Sequence, residues 1–258
     1  MNDLITSRDN PRLKALRRLI QDPQAYRKQN QVWLEGDHLC RSAQAQGVLP
    51  RVAVFSQTLW LREGAQWADC APETWVLTDD LFASLSSLES PAEMGWLLEL
   101  PAAAKLAVDA PSVVLDRLQD AGNVGAILRS AAAFGFRQVI ALKGTAALWS
   151  PKVLRSAMGA HFGLDLIESA SADSLDLLQI PLVCTDVHAG PYLHELQRAA
   201  QLPSLCAWVM GHEGQGITPA LLARADLRVR IAQPGGQESL NVATAAAICL
   251  HASATAAL

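Results

Sequence analysis

SVVLDRLQDAGNVGAILRSAAAFGFRQVIAL, residues 112–142, carries the reading of the fold. Its ends, SVVLD (112–116) and QVIAL (138–142), are short apolar runs of the kind that form buried strands. Between them Val124, Ile127, Leu128 and Ala131 recur at helical spacing, so one apolar stripe of a helix faces a sheet. Strand, helix and strand in that order predict a crossover unit. Outward from it the alternation continues, with strand candidates PLVCT (181–185), LCAWVMG (205–211) and LRVRI (227–231). Strands separated by helical patterns imply a mostly parallel sheet covered on both faces, an α/β domain over 112–258.

Upstream, PAAAKLAVDAP (101–111) has Pro at both ends and little periodicity, and reads as a linker. Residues 1–100 form a second, smaller α/β series. Asn10 and Pro11 look like a helix start, and Leu13, Leu16, Leu19 and Ile20 supply its apolar stripe. VWLEG (32–36), RVAVF (51–55), TWVLT (74–78) and WLLEL (96–100) are its strand candidates.

The chain has 258 residues, half of them hydrophobic, which suffices for two domains with proper cores. Five scattered cysteines without a C-x-x-C pair disfavour a disulfide framework or a cysteine zinc site, and fit a reducing cytoplasm. The opening residues are too charged for a signal peptide, and the apolar stretch from Val242 is Ala-rich and interrupted by His251, so no membrane span is expected. A net charge of −4 argues against a large nucleic-acid footprint. Its distribution matters more: Arg8, Arg12, Lys14, Arg17, Arg18, Arg27 and Lys28 crowd into the first thirty residues. A solvated helix face explains such a run as simply as an RNA contact does.

Three glycine-bearing stretches follow predicted strands, where ligands gather in parallel α/β sheets. In LDRLQDAGNVGAILRSAAAFGF (115–136), Gly122 and Asn123 can open a helix, and Arg129 can reach back along it toward Asn123. Taken alone, Asn123 reads as a helix cap and Arg129 as a surface arginine. A dinucleotide fingerprint fails, because the glycine spacing is wrong and the next strand ends in Lys143 rather than an acid. VMGHEGQGI (209–217) places Glu213 among three glycines that permit close backbone approach to a ligand. RIAQPGGQESLNVATAAAICLHA (230–252) runs from a strand through a Pro-Gly-Gly loop into a helix that Ser239 or Asn241 could cap. That helix is apolar nearly all round and should be buried on more than one side.

Together these stretches resemble the three signature motifs of the SpoU (TrmH-type) RNA 2′-O-ribose methyltransferase family. N-x-x-x-x-x-R, G-x-E-G-x-G and G-x-x-E-S-L-N occur in the family's order. SRDNPRLKALRRL and SPKVLRSAMGAHF (150–162) look like its substrate-binding domain and a further catalytic-domain segment. The resemblance implies a catalytic domain with a trefoil knot, homodimers packed at the knot, and S-adenosylmethionine as cofactor. It implies catalytic roles for Asn123, Arg129, Glu213, Ser239 and Asn241. Cofactor contacts, largely main-chain, fall on Gly211, Ile231 and Leu240, with Gln233 nearby. It implies RNA as partner, ribosomal RNA ahead of transfer RNA, bound through the N-terminal domain; Arg8, Arg12, Lys14, Arg17 and Arg18 suit phosphate contact. The chain departs from the family at His212, where Asn is usual, and at Ala232-Gln233, which replaces Pro-Met. SPAEMGWLLEL (90–100) matches the domain junction only loosely.

A ribose hydroxyl is a weak nucleophile, so the reaction needs alignment and stabilisation of the developing oxyanion. A guanidinium is hard to deprotonate, which points to Arg129 as an electrostatic stabiliser rather than a base. No metal is required, and His188 and His194 read as surface or hydrogen-bonded residues. The alternative is a non-catalytic RNA-binding or ribosome-assembly protein that keeps the fold; the five intact polar residues favour the enzyme.

Overall fold

The computed structural model describes residues 4–86, 91–236 and 239–256. The chain divides into two compact units, Met1–Ala102 with Trp149–Phe162, and Ala103–Leu148 with Gly163–Leu258.

The first unit runs β1 (Leu4–Ile5), α1 (Pro11–Gln21), α2 (Ala25–Gln29), β2 (Gln31–Glu35), α3 (Asp37–Ala45), β3 (Val52–Ser56), α4 (Gln57–Trp67), β4 (Glu73–Leu77), α5 (Asp79–Ala83) and β5 (Met94–Glu99). Its five-stranded sheet has the order β1-β4-β3-β5-β2; β1, β3 and β4 pair in parallel, whereas β5 pairs antiparallel with β3 and β2. The Asn10 side chain accepts the Arg12 N–H at 2.9 Å and Pro11 occupies the first turn, so α1 begins where Asn-Pro signals it. Leu13, Leu16 and Leu19 are buried beneath it.

The second unit contains β6 (Ser112–Asp116), α6 (Ala121–Ala133) and β7 (Gln138–Leu142). The chain then passes to α7 (Pro151–Ala157), which packs with the first unit, and returns as β8 (Asp165–Ala170), β9 (Leu182–Thr185), α8 (Leu193–Arg198), β10 (Ala207–Gly211), α9 (Pro219–Ala223), β11 (Leu227–Val229) and α10 (Val242–Thr255). The six strands are all parallel in the order β11-β9-β10-β6-β7-β8. Chain direction across the sheet reverses between β6 and β10, where Asp116 pairs with Gly211. A crevice opens at such a switch point.

Three features differ from the sequence reading. SPKVLRSAMGAHF (150–162), expected in the second domain, lies in the first unit, where Arg155 bonds the buried Glu35. The linker is irregular but held: the buried Gln138 amide accepts the Ala107 N–H at 3.1 Å and donates to the Ala107 carbonyl at 2.6 Å. Strands β1 and β8 were not anticipated. The C-terminal helix behaves as expected in part: Ala246, Cys249, Leu250, Ala252 and Ser253 are buried, while Ile248 remains 39% exposed. Within the unit, Ser253 accepts the Trp208 indole N–H at 2.9 Å, which pins α10 to β10.

Candidate active site

The loops beyond β6 and β10 are tied together from below. The Asp116 carboxylate, 2% exposed, accepts the Thr218 N–H at 2.7 Å and the Arg117 Nε–H at 3.1 Å. Arg117 donates in turn to Gln215 at 3.0 Å. Gly211 ends β10 where a Cβ would stand 2.2 Å from the Ile217 nitrogen, so only glycine lets the loop fold back so closely. The loop closes through paired His212 and Gly216 backbone bonds of 3.1 and 2.8 Å.

Asp120, not Asn123, caps α6: its carboxylate accepts the Asn123 N–H at 2.8 Å. This corrects the capping reading of Asn123 and frees that side chain. Its Nδ2 donates to Glu213 at 3.3 Å, and its Oδ1 accepts from Asn241 Nδ2 at 2.9 Å. Asn241 does cap α10, its Oδ1 accepting the Ala243 and Thr244 N–H groups at 2.9 and 3.2 Å. Glu213 accepts further bonds from the Asp120 and Gln119 N–H groups at 3.1 and 3.3 Å. One residue from each distant stretch therefore meets in a single polar ladder, Asn241–Asn123–Glu213.

Desolvation pushes the Glu213 carboxyl up, but amide donors from its own backbone, Asp120, Gln119 and Asn123 outweigh it, and the carboxyl lies below its ordinary value. The N-terminal end of α6 adds a positive dipole beside the carboxylate.

A cavity of about 600 Å³ lies at the C-terminal ends of β9, β10 and β11. Gly211, Glu213, Ile231, Gln233, Ser239 and Leu240 all line it. Asn123 and Asn241 stand behind Glu213, outside the lining. Arg129 is neither in the lining nor paired with Asn123; among the described residues it forms no hydrogen bond or ion pair and is exposed on α6. Six residues along a helix is about 240° of rotation and about 9 Å of rise, so the two side chains leave α6 in different directions. Glu238 of the third stretch lies outside the described residues.

The cavity also uses residues the sequence reading passed over. Thr185 ends β9, Asp186, His188 and Tyr192 come from the loop after it, and Arg230 directly follows β11. That loop follows a parallel strand like the other three, which was the available signal. Of the basic residues, Arg12 pairs with Glu73 at 3.2 Å and Lys14 with Asp9 at 2.9 Å. Lys14, Arg17 and Arg18 line a shallow groove on the exposed side of α1, Arg17 donates to the Arg8 carbonyl at 3.3 Å, and Arg8 is exposed.

Residues 110–251 match the SpoU rRNA Methylase family. The chain belongs to that family. It is 30% identical over 228 residues to the 23S rRNA (guanosine(2553)-2′-O)-methyltransferase RlmP of Bacillus subtilis, covering 87% of this chain and 88% of the relative. Among solved structures it is similar to an RNA 2′-O ribose methyltransferase, with 30% identity, coverage of 97% and 98%, and a TM-score of 0.80. It is also similar to the SpoU methyltransferase AviRb from Streptomyces viridochromogenes in complex with AdoMet, with 25% identity, coverage of 95% and 98%, and a TM-score of 0.80.

Against the SpoU pattern, His212 is an exchange of acceptors. Its Nδ1 accepts the Gly214 and Gln215 N–H groups at 3.0 and 3.2 Å, the bonds an Asx turn would make through an Asn carbonyl.

Proposed function

We propose that this protein methylates a ribose 2′-hydroxyl of ribosomal RNA, with S-adenosylmethionine as methyl donor. The observation that carries the reading is the Asn241–Asn123–Glu213 ladder beside a cavity lined by Gly211, Ile231 and Leu240.

The residues present fit the cofactor. The cavity lies in the usual size range for a small-molecule site. Asp186 and Glu213 in its wall suit a ligand bearing sulfonium and ammonium charge. Gln233, where the family has Met, brings to that wall a buried Oε1 without a partner among the described residues, an acceptor in want of a donor. Backbone groups of Gly211, Ile231 and Leu240 would hold the cofactor, with Gln233 and Ser239 beside them. Bound there, it supplies a methyl group already activated on sulfur.

The chain's own residues supply alignment and charge stabilisation. Glu213, fixed by Asn123 and Asn241, orients the ribose, and Ser239 lines its approach. Such alignment is worth on the order of 7–11 kcal/mol in ideal cases. Arg129, exposed and uncommitted among the described residues, meets the 2′-oxygen once RNA is docked and stabilises the alkoxide as the proton leaves to water or phosphate. The N-terminal unit selects the RNA. Arg8, Arg12, Lys14, Arg17 and Arg18 make its phosphate contacts, and the exposed pairs to Glu73 and Asp9 are weak enough to be exchanged.

The catalytic domain carries the family's trefoil knot, and α10 mediates a homodimer. In support, Phe134, Leu193, Ile248 and His251 surround an open hollow on that helix with almost no polar surface. No helix among the described residues is long and apolar enough to cross a membrane, and the protein works in the cytoplasm on RNA.

Ribose-methylation mapping of ribosomal RNA in cells with and without the gene tests the reaction; identical maps would refute it. Arg129→Ala should abolish methyl transfer to extracted RNA while cofactor affinity stays within about twofold. Wild-type turnover in that variant would remove Arg129 from the mechanism.

A further inference from the structure

At the cavity's rim three flat groups lie together. The Arg230 guanidinium sits 4.1 Å from the centre of the Tyr192 ring, and the His194 ring stacks on Tyr192 at 5.6 Å with planes 24° apart. Tyr192 and Arg230 line the cavity, and His194 is exposed.

The backbone beneath them is over-determined. Leu193 N–H donates to the Arg230 carbonyl at 2.8 Å, and Arg230 N–H to the Pro191 carbonyl at 3.0 Å. Glu195 accepts the Tyr192 N–H at 3.0 Å, and Arg230 Nε donates to the Gly190 carbonyl at 2.7 Å. Gly190 has φ +101°, and a Cβ there would stand 2.2 Å from the Arg228 carbonyl oxygen, so the approach depends on glycine. Arg230 forms no ion pair with any described carboxylate, and its charge is available to a ligand.

We infer that Arg230, Tyr192 and His194 form a stacking platform for an unpaired RNA base that neighbours the methylated nucleotide. The inference rests on the RNA-methylation reading and adds a recognition element to it. Proteins read single-stranded RNA by stacking splayed-out bases on aromatic and guanidinium planes, and a cation beside the stack attracts the adjoining phosphate. A platform already rigid before binding loses little freedom when a base lands on it. The exposed face of His194 receives the base, and Arg230 serves the phosphate.

The test uses the full-length protein and a short single-stranded RNA carrying 2-aminopurine, whose fluorescence is quenched on stacking. Calorimetric titration with S-adenosylhomocysteine runs in parallel. His194→Ala should weaken RNA binding about 5- to 100-fold and relieve the quenching. His194→Phe should restore both, and neither variant should change S-adenosylhomocysteine affinity. Equal RNA affinity and quenching in wild type and His194→Ala would overturn the platform. Loss of S-adenosylhomocysteine affinity in His194→Ala would do the same, since the residue would then be supporting the cavity. Failure of the wild type to bind S-adenosylhomocysteine counts against the methyltransferase reading instead, and leaves the stacking result to be judged on the RNA titration.

Discussion

The Glu35–Arg155 pair allows the division of the chain to be tested by stability. Glu35 ends β2 with its side chain 2% exposed; Arg155, on α7 and 25% exposed, donates to it at 3.2 Å, and Ser86 gives it a second hydrogen bond. Removing one partner of a buried ion pair costs about 3–5 kcal/mol, because the remaining charge is left in a poor solvent. Arg155 is partly wet and Ser86 stays in place, so Arg155→Ala should cost about 3 kcal/mol, the low end of that range. With a urea slope of about 2 kcal/mol per molar, the midpoint falls by about 1.5 M. Glu35→Gln removes the charge that needs compensation and should cost only about 1 kcal/mol. The double variant should then resemble Glu35→Gln, a coupling of about 3 kcal/mol.

Tryptophan fluorescence is the assay, because Trp33, Trp60, Trp67, Trp75, Trp96 and Trp149 belong to the first unit and only Trp208 to the second. A midpoint shift under about 0.5 M in Arg155→Ala, or strictly additive variants, would refute the reasoning. The same geometry makes removal of residues 1–100 a poor test of RNA selection. It would strip Glu35 from Arg155, and also Ser42, which packs so tightly on Gly159 that an added Cβ would stand 2.1 Å from its Oγ.

Two further outcomes follow from the site. His212→Asn should keep methyl transfer within about twofold, since an Asn carbonyl can accept the same loop N–H groups, whereas His212→Ala, losing two bonds of about 0.5–1.5 kcal/mol each, should lower kcat/KM about 10-fold. Equal activity of the two variants would show that the imidazole does not hold the loop. For Glu213, the folded carboxyl lies below its ordinary value of 4.5, so its ionised form stabilises the fold above that value, and the contribution is lost as pH falls through the depressed one. Wild type should therefore melt higher than Glu213→Gln at about pH 6, with the gap closing as pH falls below that ordinary value; a gap that widens in acid would reverse the sign of the argument.

Which parts of this were legible follows from what a linear pattern can record. The run from Ser112 to Leu142 announces its strand, helix and strand because both faces of a parallel sheet are buried and the strands are apolar except at their end residues Ser112, Asp116 and Gln138. Strand β8, DLIESA, was invisible for the converse reason: it lies at the sheet edge, alternates irregularly, and its register slips between Ile140 and Leu142. Motif spacing placed Asn123, Glu213 and Asn241 in one site, but it could not choose the cap. Asp120 and Asn123 are both good capping residues three positions apart, and only the backbone decides which side chain is left for chemistry.

Partnership is the larger gap, since periodicity reports that a face is buried and not what buries it. Leu154 and Ala157 of α7 look like core positions of either unit, and Arg155 becomes informative only once Glu35 is seen beneath it. Arg129 is the opposite case. Its motif makes it prominent in sequence, yet the fold leaves it exposed and unpaired among the described residues, and the ladder is complete without it. A side chain whose partner is the developing charge on the substrate gains nothing from a partner in the resting protein. An ion pair there would have to be broken at each turnover, so the absence of a committed bond among the described residues suits the role proposed for Arg129, which begins when RNA arrives.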